Sequence, residues 1–185
     1  MIKANMQKLF CCAAVCFIFF NSCQNKSDKR IKKGSSMVTP AGLAPNYNYT
    51  IDAPENWIVI DTVLNWLRVR FIKHPPYLTD DKPMVNVIVV LMDTDDIDLF
   101  TQRNIDYLSE NTEGAELQER GKFNASKIEA RWFTYRRAQN GIERDMINYI
   151  IPLKGFAYMI TCGTNKGAMI KYRSVFDKIA KSFKG

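Results

Sequence analysis

The chain has 185 residues, 24% charged and 12% aromatic, and carries a formal net charge of +7. That is the make-up of a folded domain, not of a disordered or fibrous chain. The basic balance does not indicate nucleic acid: residues 1–45 hold seven Lys or Arg against Asp28, a net of +6, which leaves +1 for all that follows. The basicity belongs to an N-terminal arm.

Residues 1–22 read as an export signal. Lys3 and Lys8 lead into an apolar run from Leu9 to Phe20. As a helix it would reach about 18 Å against a bilayer core of about 30 Å, the length of a signal segment and too short to span comfortably. Phe20-Asn21-Ser22-Cys23 then forms a lipobox, with small Ser22 before a cysteine whose thiol takes a diacylglycerol. Asn21 departs from the usual small or apolar residue, and the loose motif resembles those of Bacteroidetes-type lipoproteins. An uncleaved anchor helix and a plain secretory signal are the rival readings. With cleavage before Cys23, several acyl chains on that residue would hold the protein durably on a membrane. The expected location is the cell envelope, at the outer membrane.

Cysteine usage follows the same line. Cys11, Cys12 and Cys16 leave with the signal and Cys23 carries lipid, so Cys162 alone remains as a thiol. No internal disulfide is then available, and the fold must stand on its own core. Residues 23–45 form the lipidated cysteine and a flexible basic tether, rich in Lys, Ser, Gly and Pro. Lys26, Lys29, Arg30, Lys32 and Lys33 either lean on anionic headgroups, at about 1 kcal/mol each, or keep the tether soluble.

Residues 46–185 form one domain of ordinary size. Leu67, Val69 and Phe71 alternate with Arg68 and Arg70, which predicts a half-buried strand. Met84 to Met92 is almost continuously apolar and predicts a central strand covered on both sides. Asp96 or Asp98 can cap a helix running to about Asn111, with Ile97, Phe100, Ile105 and Leu108 on one stripe. Asn140-Gly141 signals a two-residue hairpin turn, which sets Trp132 opposite Tyr149 and Thr134 opposite Ile147. Lys154-Gly155 signals a second, which sets Tyr149 opposite Ile160 and Ile147 opposite Cys162. Both registers put Trp132, Tyr149 and Ile160 on one face, as alternation requires. A final helix from about Asn165 to Phe183 carries Ala168, Tyr172, Val175, Phe176, Ile179 and Phe183 at helical spacing. The expected fold class is α+β: an antiparallel sheet of about six strands with a helix on each face.

This order of elements, opened by Ile51-Asp52-Ala53-Pro54-Glu55-Asn56-Trp57, resembles the PsbP/Mog/DcrB-like superfamily. The likeness extends through Asn86-Val87-Ile88-Val89, the amphipathic helix, the long hairpin, Gly155-Phe156-Ala157-Tyr158 and the closing Ser182-Phe183. It covers nearly all of residues 47–185 and lies in pattern rather than in shared chemistry. It implies a PsbP-like α/β/α sandwich and a binding or adaptor role, since the members it resembles include photosystem subunits, a Ran-binding factor and envelope lipoproteins. Fold alone does not fix function.

Residues able to carry chemistry are few. His74, the one histidine, precedes Pro75-Pro76 and reads as an exposed loop residue. Asp93, Asp95, Asp96 and Asp98 lack the glycine and late glutamate of a calcium loop, so helix capping accounts for them more simply. Cys162 falls on the core face and reads as an inert thiol. Trp57 and Trp66 read as packing residues. Arg131, Arg136, Arg137 and Arg144 gather on the long hairpin. A solvated tip explains them, and Arg131, Arg137 and Arg144 are the candidate surface for an acidic partner. No catalytic residue, cofactor or metal site is expected. The predicted function is a lipid-anchored, non-enzymatic envelope protein with a protein partner, and the alternative is a small-ligand or ion-binding lipoprotein that uses a cleft between sheet and helix.

Overall fold

The structure, a computed structural model, describes residues 49–185 apart from 65–66, 76–78 and 140. The signal segment, Cys23, the tether and Trp66 lie outside the described residues. Residues 48–185 form one compact unit.

Among the described residues, seven antiparallel strands make one sheet: β1 (Ile58–Leu64), β2 (Leu67–Lys73), β3 (Met84–Leu91), β4 (Glu116–Ala125), β5 (Ile128–Gln139), β6 (Ile142–Leu153) and β7 (Phe156–Asn165). Their order across the sheet is β1-β2-β3-β7-β6-β5-β4. Helix α1 (Ile97–Asn111) lies between β3 and β4, and α2 (Met169–Lys181) follows β7. The fold is α+β, with seven strands where about six were expected. The strands that the sequence analysis did not place are the two edges, β1 and β4. Edge strands need not alternate cleanly, because both of their faces meet solvent more than an inner strand's do; β4 is exposed over Glu116–Arg120.

The central registers follow the turn chemistry. Trp132 pairs with Tyr149, Thr134 with Ile147, Tyr149 with Ile160 and Ile147 with Cys162. Gly141, Lys154 and Gly155 hold positive φ, as these two-residue turns require. One row across the sheet runs Val87–Ile160–Tyr149–Trp132–Gly121, and the row beside it runs Phe71–Asn86–Thr161–Asn148–Phe133–Arg120 on the opposite face. Ile72, Ile88, Phe133, Ile147, Tyr149, Ile150, Ile151, Ile160, Phe176 and Phe183 are fully buried and make the core. Each contributes roughly 1.5–3 kcal/mol by leaving water.

Helix α1 begins where the sequence signals it. Asp96 is the N-cap, its carboxylate accepting from the N–H groups of Asp98 and Leu99. Phe100, Ile105 and Leu108 are its buried stripe. Helix α2 starts at Met169, later than expected, because β7 continues to Asn165 and a turn occupies Lys166-Gly167. Its N-cap, Ala168, has no side-chain cap; instead Asp145 of β6 accepts from the Gly167 N–H at 2.6 Å. A carboxylate from the sheet thus stands at the positive end of the helix.

Candidate functional site

Two features of the domain are open to solvent and chemically distinct: a cleft beside α2 and the edge strand β1.

The cleft has a volume of about 550 Å³ and lies between α2 and strands β4 to β6. Glu119 of β4, Thr134 of β5 and Asp145 of β6 line the sheet side, and Arg173, Ser174 and Asp177 line the helix side. A bulge between Leu117 and Glu119 shifts the β4 register there, and the Thr134 hydroxyl accepts from the freed Glu119 N–H. Met169 and Ile170 stand at the mouth, Ile170 with 85% of its surface exposed.

The charges in the cleft are largely committed. Asp145 takes Arg136 on one oxygen and the Gly167 N–H on the other. Asp177 accepts from the Tyr149 hydroxyl at 2.6 Å and from Arg173 at 3.1 Å. The Arg173 guanidinium lies 4.2 Å from the Trp132 ring centroid. Gly121 is what lets that indole lie flat on β4, since a Cβ there would meet the ring at 2.8 Å. Burial, then Cys162 and Asp177, push Tyr149 ionisation well above its usual range. Cys162 is sealed beneath this network, and burial raises its thiol pKa well above normal. A thiol so held is a poor nucleophile.

The second feature is β1, which among the described residues is paired on one side only, by β2. Ile58, Val59, Ile60 and Val63 are 49%, 47%, 42% and 61% exposed. By alternation Ile58 and Ile60 lie on one face, and Val59 and Val63 on the other. The charge between them, Asp61, is held by Arg70 of β2 through bonds of 2.7 and 2.9 Å. Those bonds lower the Asp61 pKa. Arg70 is braced by the Tyr49 ring 5.2 Å away, and burial lifts the Tyr49 hydroxyl to about 12.

The residues singled out in the sequence fall elsewhere. The arginines do not form a solvated tip: Arg131, Arg137 and Arg144 are only 5%, 3% and 8% exposed. Arg131 lies toward the far end of β5 from the turn, bound to Asp98 of α1 and to Glu129. Its guanidinium therefore ties helix to sheet. Arg137 and Arg144 do face each other, as the register requires. His74 is half-buried, edge-on to Trp57 and to Tyr172, not an exposed loop residue. The acidic cluster disperses: Asp96 caps, Asp93 pairs with Arg103 and Asp98 with Arg131. Among the described residues, no group of three His, Cys, Asp or Glu is placed to hold a metal ion.

Sequence reasoning missed the β1 edge and a buried polar row, and it gave a cleft between sheet and helix without the residues that line it. The row is Asn86, Thr161 and Asn148 on neighbouring strands, each nearly sealed from solvent. Its signal was present, since Asn86 and Asn148 interrupt otherwise apolar runs.

No family model matches the chain, and no curated protein does. Solved structures share its fold. LpqN, described as involved in cell envelope biogenesis of Mycobacterium tuberculosis, is similar at a TM-score of 0.56 and 14% identity, over 74% of this chain and 82% of that one. The cyanobacterial PsbP of Synechocystis sp. PCC 6803 is similar at 0.55 and 17%, over 74% and 85%. A Pseudomonas aeruginosa protein of unknown function, PA94, is similar at 0.53 and 10%, over 67% and 94%. The fold is PsbP-like.

Proposed function

We propose that this chain is a non-enzymatic, lipid-anchored protein of the cell envelope whose domain binds another protein. The observation that carries the binding role is β1: an unpaired sheet edge bearing four exposed β-branched residues on both its faces. Such an edge offers free backbone donors and acceptors flanked by apolar side chains, the chemistry of strand addition. The envelope location is supported by the fold neighbour LpqN, described as involved in envelope biogenesis. The anchor rests on the signal and on Cys23. The absence of catalysis is supported by a sealed Cys162 and by a His74 held among aromatic rings.

In this reading the domain is an α/β/α sandwich. Arg131 and Arg120, which bond to Asp98 and Gln102 of α1, alternate along their strands with Trp132 and Gly121. Trp132 lies under Arg173 of α2. These contacts support a helix on each face of the sheet.

Cys23→Ala should release the protein from membranes or leave its precursor uncleaved; unchanged membrane fractionation and palmitate labelling would refute the anchor. The binding role predicts that a photo-crosslinker placed at Val63 in intact envelopes captures a protein, and that one placed at exposed Lys127 captures much less. Equal yields at the two positions would count against it. A second reading, a small-ligand lipoprotein, is favoured by the cleft beside α2, whose size lies within the range of small-molecule sites. It predicts a small molecule co-purifying with the protein and lost on Arg173→Ala.

A further inference from the structure

The two edges of the sheet are built in opposite ways. β4 carries Glu116, Glu119, Arg120 and Lys122 and is broken by its bulge, features that discourage pairing with another strand. β1 has no bulge in its pairing with β2, no lysine and no proline, and its single charge is already neutralised by Arg70. One edge is defended and the other is left open.

The open edge is also close to a palindrome. Around Asp61 the strand reads Ile58-Val59-Ile60 on one side and Thr62-Val63-Leu64 on the other. We propose that β1 pairs antiparallel with β1 of a second copy of this chain, about a two-fold axis at Asp61, joining two sheets into one. The inference rests on the protein-binding reading above and names the partner. A two-fold interface requires a surface complementary to itself. This register supplies one: Ile58 meets Leu64, Val59 meets Val63 and Ile60 meets Thr62 of the other copy. The two Asp61 side chains meet at the axis, each turned to its own Arg70.

Sliding the pairing by one step along the pleat breaks the match. Faces are preserved only by registers that pair residues of like parity. The two nearest such alternatives set Asp61 against Val59 or against Val63 of the other copy. Both are two-fold as well, about Ile60 or about Thr62, but each sets Asp61 against a valine twice, where the register about Asp61 sets Val59 against Val63 twice. The strand thus specifies its register as well as its partner.

The test uses the full chain in its membrane, oxidised and run without reductant. Val59→Cys with Val63→Cys in one chain should give a dimer of twice the mass, since paired Cα atoms in such a ladder lie about 4.5–5.5 Å apart, within disulfide reach. Val59→Cys alone and Val63→Cys alone should give none, because each residue then lies about 13 Å along the strand from its own copy. In detergent, light scattering should report a dimer for the wild-type chain, and Val63→Lys should weaken it at least about tenfold by placing a charge at an apolar pair. A wild-type monomer at all micromolar concentrations, or no dimer from the double cysteine variant, overturns the second copy as partner. If at the same time the Val63 crosslinker captures a different protein, the binding reading survives and only this inference fails. If it captures nothing, both fail.

Discussion

At the scale of single residues, the most consequential contact is the Tyr149 hydroxyl on Asp177. It joins the sheet to α2 inside a buried setting, where a hydrogen bond to a charged acceptor is worth roughly 1.5–3 kcal/mol. Tyr149→Phe should therefore lower unfolding free energy by about 1–2 kcal/mol, because Arg173 still partners the carboxylate. The same residue shapes the alkaline limb. A folded pKa raised above the unfolded value of about 10 means the native state holds its proton longer. Its contribution is whole below that pH and is lost as pH rises above it. Urea melts from pH 9 to 11 should show a shallower fall for Tyr149→Phe than for the wild type. An unchanged slope would mean that this hydroxyl does not set the limb.

Among the elements, the two helices differ in how their first turns are held. Asp96 caps α1 locally, so Asp96→Ala should cost about 1 kcal/mol, measured as a lower denaturation midpoint. The start of α2 depends on Asp145, some twenty residues earlier on β6. This difference explains what could be read from sequence. An aspartate just before an apolar stripe is a local signal, and α1 was placed from it. No local residue marks Met169, so the helix was begun too early, at Asn165. The hairpin registers were legible for the same reason as α1: Lys154-Gly155 and Gly141 demand positive φ, and a two-residue loop leaves one pairing. The residues lining the cleft were not legible, because they depend on which strands α2 crosses. Nor was the fate of Arg131: its partner Asp98 lies 33 positions away in the chain and meets it only when α1 docks.

For the molecule as a whole, the strand order separates local from distant pairing. β4 to β7 form a continuous meander, each strand joined to the next in sequence. β1 to β3 form another, and within the sheet the two halves join where β3 meets β7. That seam pairs Met84 with Gly163, roughly 80 residues apart, so it closes a loop that the meanders do not have to close. The slow event in folding should be this closure, with each half able to begin alone. Hydrogen exchange should accordingly find the most protected amides in β6 and β7 and the least in β1, with β1–β2 opening as a unit. Uniform protection across all seven strands would contradict it.

The position of that seam has a kinetic consequence for the open edge. β1 is the strand farthest from the meander that contains most of the core, and it is held by β2 alone. Until β3 has found β7, the β1–β3 half presents two unpaired margins instead of one, β1 outside and β3 inside. A nascent chain is therefore most exposed to pairing with its neighbours during the interval before closure. Slower translation should lengthen that interval, because β7 begins at Phe156, well after β3 ends at Leu91, and crowded synthesis should raise the chance of an encounter within it. Insoluble protein would then be expected to carry intermolecular contacts at β3, a strand that the finished fold hides.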